Sequence, residues 1–118
     1  MLPLLRNYQP PTAGQLSKRA TLLEPVEAVD ADGQIVQSWA ERGTVWCNVR
    51  WLRGGESVMQ ARLASKSPAI VTVRASTLTR RVTSEWKFRI DGREFDAKED
   101  PRETDDRAFL EMLVERIG

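Results

Sequence analysis

Residues 86–97, WKFRIDGREFDA, carry the clearest structural signal in the chain. The first half of this stretch alternates apolar with charged residues, as expected for a half-buried strand. Asp91 and Gly92 follow, and this pair favours a two-residue type I′ turn because both positions accept a positive φ. The chain then returns with Phe95 and Ala97 on the inward face. The stretch therefore predicts an antiparallel hairpin.

Three further regions have the composition of strands. Residues 69–73, AIVTV, are rich in β-branched side chains. Residues 44–52, TVWCNVRWL, alternate and predict a strand with large apolar groups on both faces. An earlier hairpin is predicted from a strand with an edge or a bulge at Pro25, a turn at residues 30–33 and a second strand over residues 34–39.

The last stretch, residues 108–117, is ambiguous. The spacing of its apolar residues favours an amphipathic helix capped by Asp105 or Asp106. Every second residue from Ala108 to Val114 also fits one face of a strand, although periodicity alone favours the helix. With either ending, the order of elements predicts an all-β fold, a small antiparallel β-barrel or sandwich.

The length of 118 residues fits one domain. Residues 1–14 contain three prolines and predict a flexible N-terminal arm. Residues 15–118 are expected to form a single β-barrel domain. An excursion at residues 54–67 interrupts it and is predicted to be a long loop or a short helix.

Composition excludes several classes of function. The chain has no histidine and a single cysteine, Cys47, which excludes Ser-His-Asp and Cys-His catalysis, an internal disulfide and a multi-cysteine metal site. We therefore expect no enzymatic activity, no cofactor and no bound metal. No apolar run approaches the ~20 residues that span a bilayer, and residues 1–5 lack the basic region of a signal peptide. We expect no membrane partner and synthesis in the cytoplasm.

Charge is distributed unevenly along the chain. Residues 61–90 contain seven Lys or Arg and one Glu, whereas residues 91–118 contain five basic and ten acidic residues. A basic block followed by an acidic one suits contact with further copies of the chain or with a polyanion.

Four residues of the basic block are the candidate contact residues: Arg62, Lys66, Arg80 and Arg81. The first two lie on the predicted excursion, and the other two lie on the polar stretch 76–84. Basic groups on loops contact phosphates without reading sequence, and they equally suit the acidic surface of a neighbouring copy. We predict that these four residues face a DNA channel or an adjacent subunit.

Two other functions are compatible with the residues. The four tryptophans, with Phe88 and Arg89, are compatible with a small β-barrel module that stacks the bases of single-stranded nucleic acid. They are Trp39, Trp46, Trp51 and Trp86. Aromatic residues at strand spacing are more often part of a core. A carboxylate and metal enzyme would require acids scattered over residues 91–118 to converge, and their spacing is not that of a calcium loop.

Several motifs along the chain occur in a characteristic order. They are AGQLSKR at 13–19, EPVE at 24–27, Asp32-Gly33 before Val36 and Trp39, TVWCNV at 44–49, LRGGE at 52–56 and FRIDGREF at 88–95. In these motifs and their spacing the chain resembles the phage head-tail joining family, the head closure, adaptor and stopper proteins of tailed phages. The resemblance spans roughly residues 13–118. The prolines before Ala13 and the polar stretch 76–84 depart from the family pattern.

The resemblance implies a small β-barrel with a long loop and a last strand, rather than a helix, over residues 108–117. It implies a virion protein without catalytic residues, whose copies assemble as a cyclic homo-oligomer between the portal and the tail. Expected partners are a portal or adaptor ring, tail proteins and, through non-specific contact, the packaged double-stranded DNA. Such a ring closes the head and extends the DNA channel. Which ring of the connector the chain forms is left open.

Overall fold

The computed structural model of the chain describes residues 15–52 and 68–117. Seven antiparallel strands make up most of these residues, and a 3₁₀ turn at Thr79–Arg81 precedes the fourth strand. The strands are β1 (Lys18–Val29), β2 (Ile35–Trp51), β3 (Pro68–Arg74), β4 (Lys87–Ile90), β5 (Arg93–Ala97), β6 (Arg102–Glu103) and β7 (Phe109–Arg116). None of the described residues belongs to a helix long and apolar enough to cross a membrane. The predicted arm at residues 1–14 and excursion at 54–67 lie outside the described residues.

The strands form one sheet that closes on itself. Their order is β3-β2-β1-β4-β5-β7-β6, and β3 also pairs with β7, so the first six strands of this order complete a ring. β6 lies outside this ring and pairs with Leu110 and Glu111 of β7, while β5 pairs with Val114–Arg116 of the same strand. Every pairing is antiparallel. The predicted all-β antiparallel fold is confirmed, and the closed sheet fits a sandwich-like description.

The β4–β5 hairpin forms as the sequence predicts. Ile90 pairs with Arg93, and Asp91 and Gly92 occupy the two turn positions with φ of 53° and 76°. Positive φ at both positions is the geometry of a type I′ turn, whose twist matches that of the flanking strands. This hairpin places Phe88 and Phe95 opposite each other on the inner face.

The C-terminal stretch is a strand, so the helix favoured by periodicity is wrong and the strand implied by the family resemblance is confirmed. β7 pairs with β3 over seven residue pairs, from Pro68↔Glu115 to Arg74↔Phe109. It also pairs with β5, and Ala97 lies opposite Val114. Partners on both edges satisfy the backbone of β7. Long-range pairing therefore overrides the local helical periodicity.

The sequence predicts separate strands over residues 34–39 and 44–52, and this is wrong because β2 is continuous. The four intervening residues, AERG at 40–43, join the ladder with β1 through a bulge. Leu22 pairs with Gly43 and Leu23 pairs with Glu41, so Arg42 is the extra residue. A bulge inserts a residue and bends the strand without ending it. Of the two alternatives predicted at Pro25, the edge is confirmed, since β1 pairs with β4 only as far as Leu23, whereas the bulge lies before Pro25, between Leu22 and Leu23.

The inner face of the closed sheet holds the hydrophobic core. Its largest fully buried apolar side chains come from β1, β3, β4 and β7. They are Leu22, Val71, Val73, Phe88, Met112 and Val114. Burying a large apolar side chain contributes about 1.5–3 kcal/mol of folding free energy relative to leaving it exposed. The interior of the sheet ring is therefore filled with side chains and is not a channel.

Beyond the bulge, β1 and β2 leave the closed sheet. β1 pairs with β4 only from Ala20 to Leu23, and β2 pairs with β3 only from Cys47 to Trp51. Residues 24–41 thus form a two-stranded ribbon, which we call the distal ribbon. Among the described residues, no strand other than β2 lies beside β1 at this point, so Pro25 is tolerated here. Six residue pairs at about 3.4 Å per residue give the ribbon a length of about 20 Å.

Candidate functional site

Arg80 and Arg81 are held by a short turn built around Thr79. The buried Thr79 hydroxyl donates a hydrogen bond to the carbonyl oxygen of Arg74 (2.8 Å) and accepts one from the backbone N–H of Ser76 (2.8 Å). The Ser76 hydroxyl in turn accepts the N–H of Thr79 (3.1 Å). These bonds satisfy the polar groups of the 3₁₀ turn and present both arginine side chains to solvent.

Both arginines form ion pairs within their own chain. Arg80 contacts the carboxylate of Glu103, and Arg81 Nη2 lies 3.1 Å from Oε1 of Glu24. The Arg81 guanidinium also lies over the ring of Trp86. About half of each arginine side chain stays exposed, so both remain available for a second contact. Their predicted role at a channel or an adjacent subunit stays a prediction.

Arg62 and Lys66, the other two candidate residues, lie outside the described residues. Their predicted contact with DNA or with a neighbouring copy, and the conformation of the 54–67 excursion, stay predictions. Of the four candidate residues, the structure describes Arg80 and Arg81, which are adjacent on the 3₁₀ turn.

The basic block also meets acidic residues elsewhere in the same chain. Arg89 lies 2.9 Å from the carboxylate of Glu41 on β2 and 3.7 Å from that of Glu94, while Lys87 approaches Glu94 to 3.8 Å. These pairs are partly exposed to solvent, and each is worth at most about 1 kcal/mol. Part of the charge complementarity seen in the sequence is therefore used inside one copy.

The aromatic residues do not share one surface. Trp86 and Phe88 are buried in the core, so neither is available to stack on a base. Trp39 lies under the Lys87 ammonium (4.3 Å to the ring centroid), and Trp51 packs against Phe95. Trp51 is also partly exposed, and Trp46, the most exposed of the four tryptophans, carries the guanidinium of Arg19 over its ring at 5.2 Å.

Cys47 lies on the inner face of β2 and is fully buried. Burial raises the pKa of its thiol to about 12, and the nearby charge of Asp91 acts in the same direction. The thiolate is the nucleophilic form, so this cysteine is inert at neutral pH.

The acidic residues near the C-terminus serve local structure. Asp106 accepts hydrogen bonds from the Thr104 hydroxyl (2.7 Å) and the Ala108 N–H (3.0 Å), which lowers the pKa of its carboxyl. Asp100 accepts the N–H of Ser84. Within residues 15–52 and 68–117, no group of three or more potential metal ligands comes together.

Sequence reasoning missed two surfaces. One is the end of the distal ribbon, where Val29, Ile35 and Val36 are exposed. The other is an open cleft of about 670 Å³ lined by Leu16, Ser17, Val45, Trp46, Arg74 and Ser76. A signal for the first was present in the sequence, because no Lys or Arg occurs between residues 20 and 41 while five acidic residues do. The cleft had no such signal, since its residues come from three separate parts of the chain.

Comparison with known proteins gives a family and a fold. A family described as phage head completion protein matches residues 11–117 of the chain. Protein SF1141 from Shigella flexneri 2a, solved in solution, superposes with a TM-score of 0.69 at 18% identity, over 88% of this chain and 95% of that one. A chain from the virion of a native gene transfer agent particle superposes with a TM-score of 0.58 at 24% identity, over 84% of this chain and 93% of that one. No curated protein matches the sequence.

Proposed function

Because the chain belongs to the phage head completion protein family, we propose that its copies form a ring between the portal and the tail. In this role the ring closes the filled head, extends the DNA channel and receives tail proteins. The observation that carries the proposal is the family match, which extends over almost the whole chain, from residue 11 to residue 117. One of the similar structures is a chain from the virion of a gene transfer agent particle, which agrees with a role in a virion.

The interior of the fold supports a channel made between copies rather than within one. The closed sheet is packed with core side chains such as Phe88 and Met112. A radius of gyration of 15.4 Å is also too small for one copy to encircle a duplex. Several copies related by cyclic symmetry are therefore needed to surround DNA. The protein in this role is structural and performs no chemical reaction.

The four basic candidate residues have a place in this proposal. In this role Arg62 and Lys66 face one of two partners. They contact either the phosphates of packaged DNA in the lumen, without reading its sequence, or the next subunit of the ring. Arg80 and Arg81 are half-exposed, and their partners Glu103 and Glu24 hold them outward. They provide a second basic contact for DNA or for a neighbouring ring.

Deletion of the gene from the phage or prophage that encodes the chain tests the proposal. We expect DNA-filled heads that lack tails and lose their DNA, with recovery when the wild-type chain is supplied in trans. Tailed, DNA-retaining particles without the chain would overturn the proposal.

Charge reversal then tests the excursion. Arg62→Glu with Lys66→Glu should reduce ring assembly or DNA retention. Arg93→Glu with Arg102→Glu, which makes the same change of charge at exposed positions, should leave both unchanged. Unchanged assembly together with unchanged DNA retention in the Arg62 and Lys66 variant would refute the role of these two residues.

A further inference from the structure

The end of the distal ribbon is apolar on both faces. Val29 and Ile35 form a cross-strand pair on one face and are 70% and 69% exposed. Val36, 40% exposed, lies on the other face opposite Ala28. Clustered apolar side chains at the end of a projecting ribbon cost free energy in water, and such patches commonly mark interaction sites. We call these residues, with the turn that joins them, the ribbon tip.

The ribbon that carries this tip is acidic. Residues 24–41 contain five Asp or Glu and no Lys or Arg. Glu24 and Glu41, at its base, pair with arginines of their own chain. Nearer the tip, Glu27 and Asp32 have no basic partner among the described residues. The tip therefore combines exposed apolar groups with uncompensated negative charge.

The cleft at the opposite end of the same two strands has complementary chemistry. Leu16, Val45 and Trp46 provide its apolar lining, and Arg74 provides a positive charge at its wall. Arg19 adds a second guanidinium, stacked on the exposed ring of Trp46. In the part of the chain that the structure describes, neither arginine has an acidic partner. The cleft is thus apolar inside and basic at its border.

We infer that the ribbon tip of one copy binds the cleft of the next copy in the ring. The two surfaces cannot meet within one chain, because eleven residues of β1 at about 3.3 Å each separate Val29 from Lys18 by roughly 35 Å. In a neighbouring copy, Val29, Ile35 and Val36 reach the apolar lining. Glu27 and Asp32 then lie close to the two arginines.

This contact is heterologous, since it joins one surface to a different surface. Repeated by rotation, it leaves no tip or cleft unoccupied once the ring closes. It also places on each copy one acidic and one basic face, which excludes tip-to-tip contact by repulsion between like charges. The inference rests on the proposed ring and specifies the contact between its subunits.

Paired cysteines test the contact. Ile35→Cys lies at the tip and Ser17→Cys lies in the cleft, and both positions are exposed while the native Cys47 is buried. In purified particles, the chain with both substitutions should give a ladder of disulfide-linked oligomers on mild oxidation. A mixture of the two single variants should give dimers at most, and each single variant alone should give none.

The outcomes separate this inference from the proposed function. A ladder supports the contact. Absence of the ladder, or disulfides within single variants, while the chain is present at the head-tail junction, overturns the contact and leaves the proposed function intact. Absence of the chain from purified particles overturns both.

Charge reversal gives an independent test. Glu27→Lys with Asp32→Lys should weaken self-association about tenfold or more, as should Arg19→Glu with Arg74→Glu. Combining all four changes should restore it to within about threefold of the wild-type value. Glu85→Lys with Asp105→Lys is the matched control, because both positions are exposed and the change of charge is the same. Lack of recovery in the fourfold variant contradicts the pairing of these surfaces.

Discussion

The two halves of the β1–β2 hairpin have the same backbone pairing and opposite surroundings. In the half that belongs to the closed sheet, Leu22 and Cys47 are completely buried, because β4 pairs with β1 and β3 pairs with β2. In the distal ribbon, Val29 and Ile35 pair just as regularly and are about 70% exposed. Neighbouring strands, rather than hydrophobicity or β propensity, decide which apolar residues enter the core.

This division separates stability from recognition. Residues inside the closed sheet contribute to the free energy of unfolding through burial. Residues of the ribbon tip, which are exposed, contribute little to it and remain free to bind another molecule. The bulge at Arg42, together with Pro25, marks the boundary between the two halves.

The largest difference in unfolding free energy is expected between alanine substitutions at Phe88 and at Ile35. Phe88→Ala removes a fully buried ring from the centre of the closed sheet and should lower the free energy of unfolding by about 3–5 kcal/mol. Ile35→Ala removes a side chain that is already in water and should change the free energy of unfolding by less than about 0.5 kcal/mol. Urea denaturation followed by tryptophan fluorescence measures both.

Similar costs for the two substitutions would contradict the division. A loss of more than about 1 kcal/mol for Ile35→Ala would mean that the distal ribbon packs against the rest of the chain.

Parts of the molecule that depend on short-range chemistry were predictable from sequence. The β4–β5 hairpin follows from the turn chemistry of Asp91-Gly92 and the alternation before it, both contained in a few residues. The strand at residues 69–73 follows in the same way from its β-branched side chains. Each of these signals is complete without knowledge of the partner strands.

Features that depend on distant partners were not predictable in the same way. Residues 109–116 have a helical spacing of apolar groups, and they become a strand because they pair with other strands, above all with β3, about 40 positions earlier in the sequence. The sequence predicts two separate strands over residues 34–39 and 44–52, yet pairing with β1 continues through the residues between them, with a bulge at Arg42. The ribbon tip and the cleft are recognised only when one knows where the neighbouring strands stop.

The two halves of the hairpin should also differ in how their cysteines make stability depend on pH, because Cys47 lies in the buried half. The pKa of its thiol is raised to about 12 in the folded chain, against about 8.5 in an unfolded one. Between these values the unfolded chain releases a proton that the folded chain retains, so stability decreases as pH rises through this window. The slope reaches about 1.4 kcal/mol per pH unit, and below about pH 8 the group makes no contribution.

Denaturation of the wild-type chain and of Cys47→Ala between pH 7 and pH 11 isolates this effect, because all other titrating groups are shared. The difference in unfolding free energy between the two chains should shrink as pH rises. A constant difference over this range would mean that Cys47 is exposed in the folded chain. A cysteine at the other end of the hairpin, Val29→Cys introduced into the Cys47→Ala chain, should show no such pH-dependent loss of stability, because position 29 is exposed.

The boundary itself is tested at Gly43. A Cβ at this position would lie 2.8 Å from Cδ2 of Leu78. The backbone φ is also +156°, a value that residues other than glycine rarely adopt. Gly43→Ala should therefore lower the free energy of unfolding by about 1–2 kcal/mol. Gly33 in the ribbon turn has a φ of +81° and open space around it. Gly33→Asn should cost less than about 0.5 kcal/mol, because asparagine tolerates the left-handed region.

The double variant Gly43→Ala with Leu78→Ala distinguishes crowding from backbone strain. If crowding dominates, adding Gly43→Ala to a Leu78→Ala background should cost much less than adding it to the wild type. An equal cost in both backgrounds would assign the effect to the backbone alone.

The smallest effect is expected in the turn of the distal ribbon, at Asp30. Its Oδ1 accepts hydrogen bonds from the N–H groups of Asp32 and Gln34, both at 2.9 Å, and so fixes the turn that presents the ribbon tip. Asp30→Ala removes both bonds, each worth about 0.5–1.5 kcal/mol. Among the described residues, the backbone of the strands next to this turn pairs only within the ribbon, so the loss should stay local. Amide hydrogen exchange should accelerate about five- to tenfold in residues 26–37 and remain unchanged in β3 and β7.

Asp30→Asn retains an acceptor oxygen and should exchange like the wild type. Faster exchange in β3 or β7 would show that the distal ribbon and the closed sheet open as one unit, and the division between the two halves of the hairpin would then be wrong.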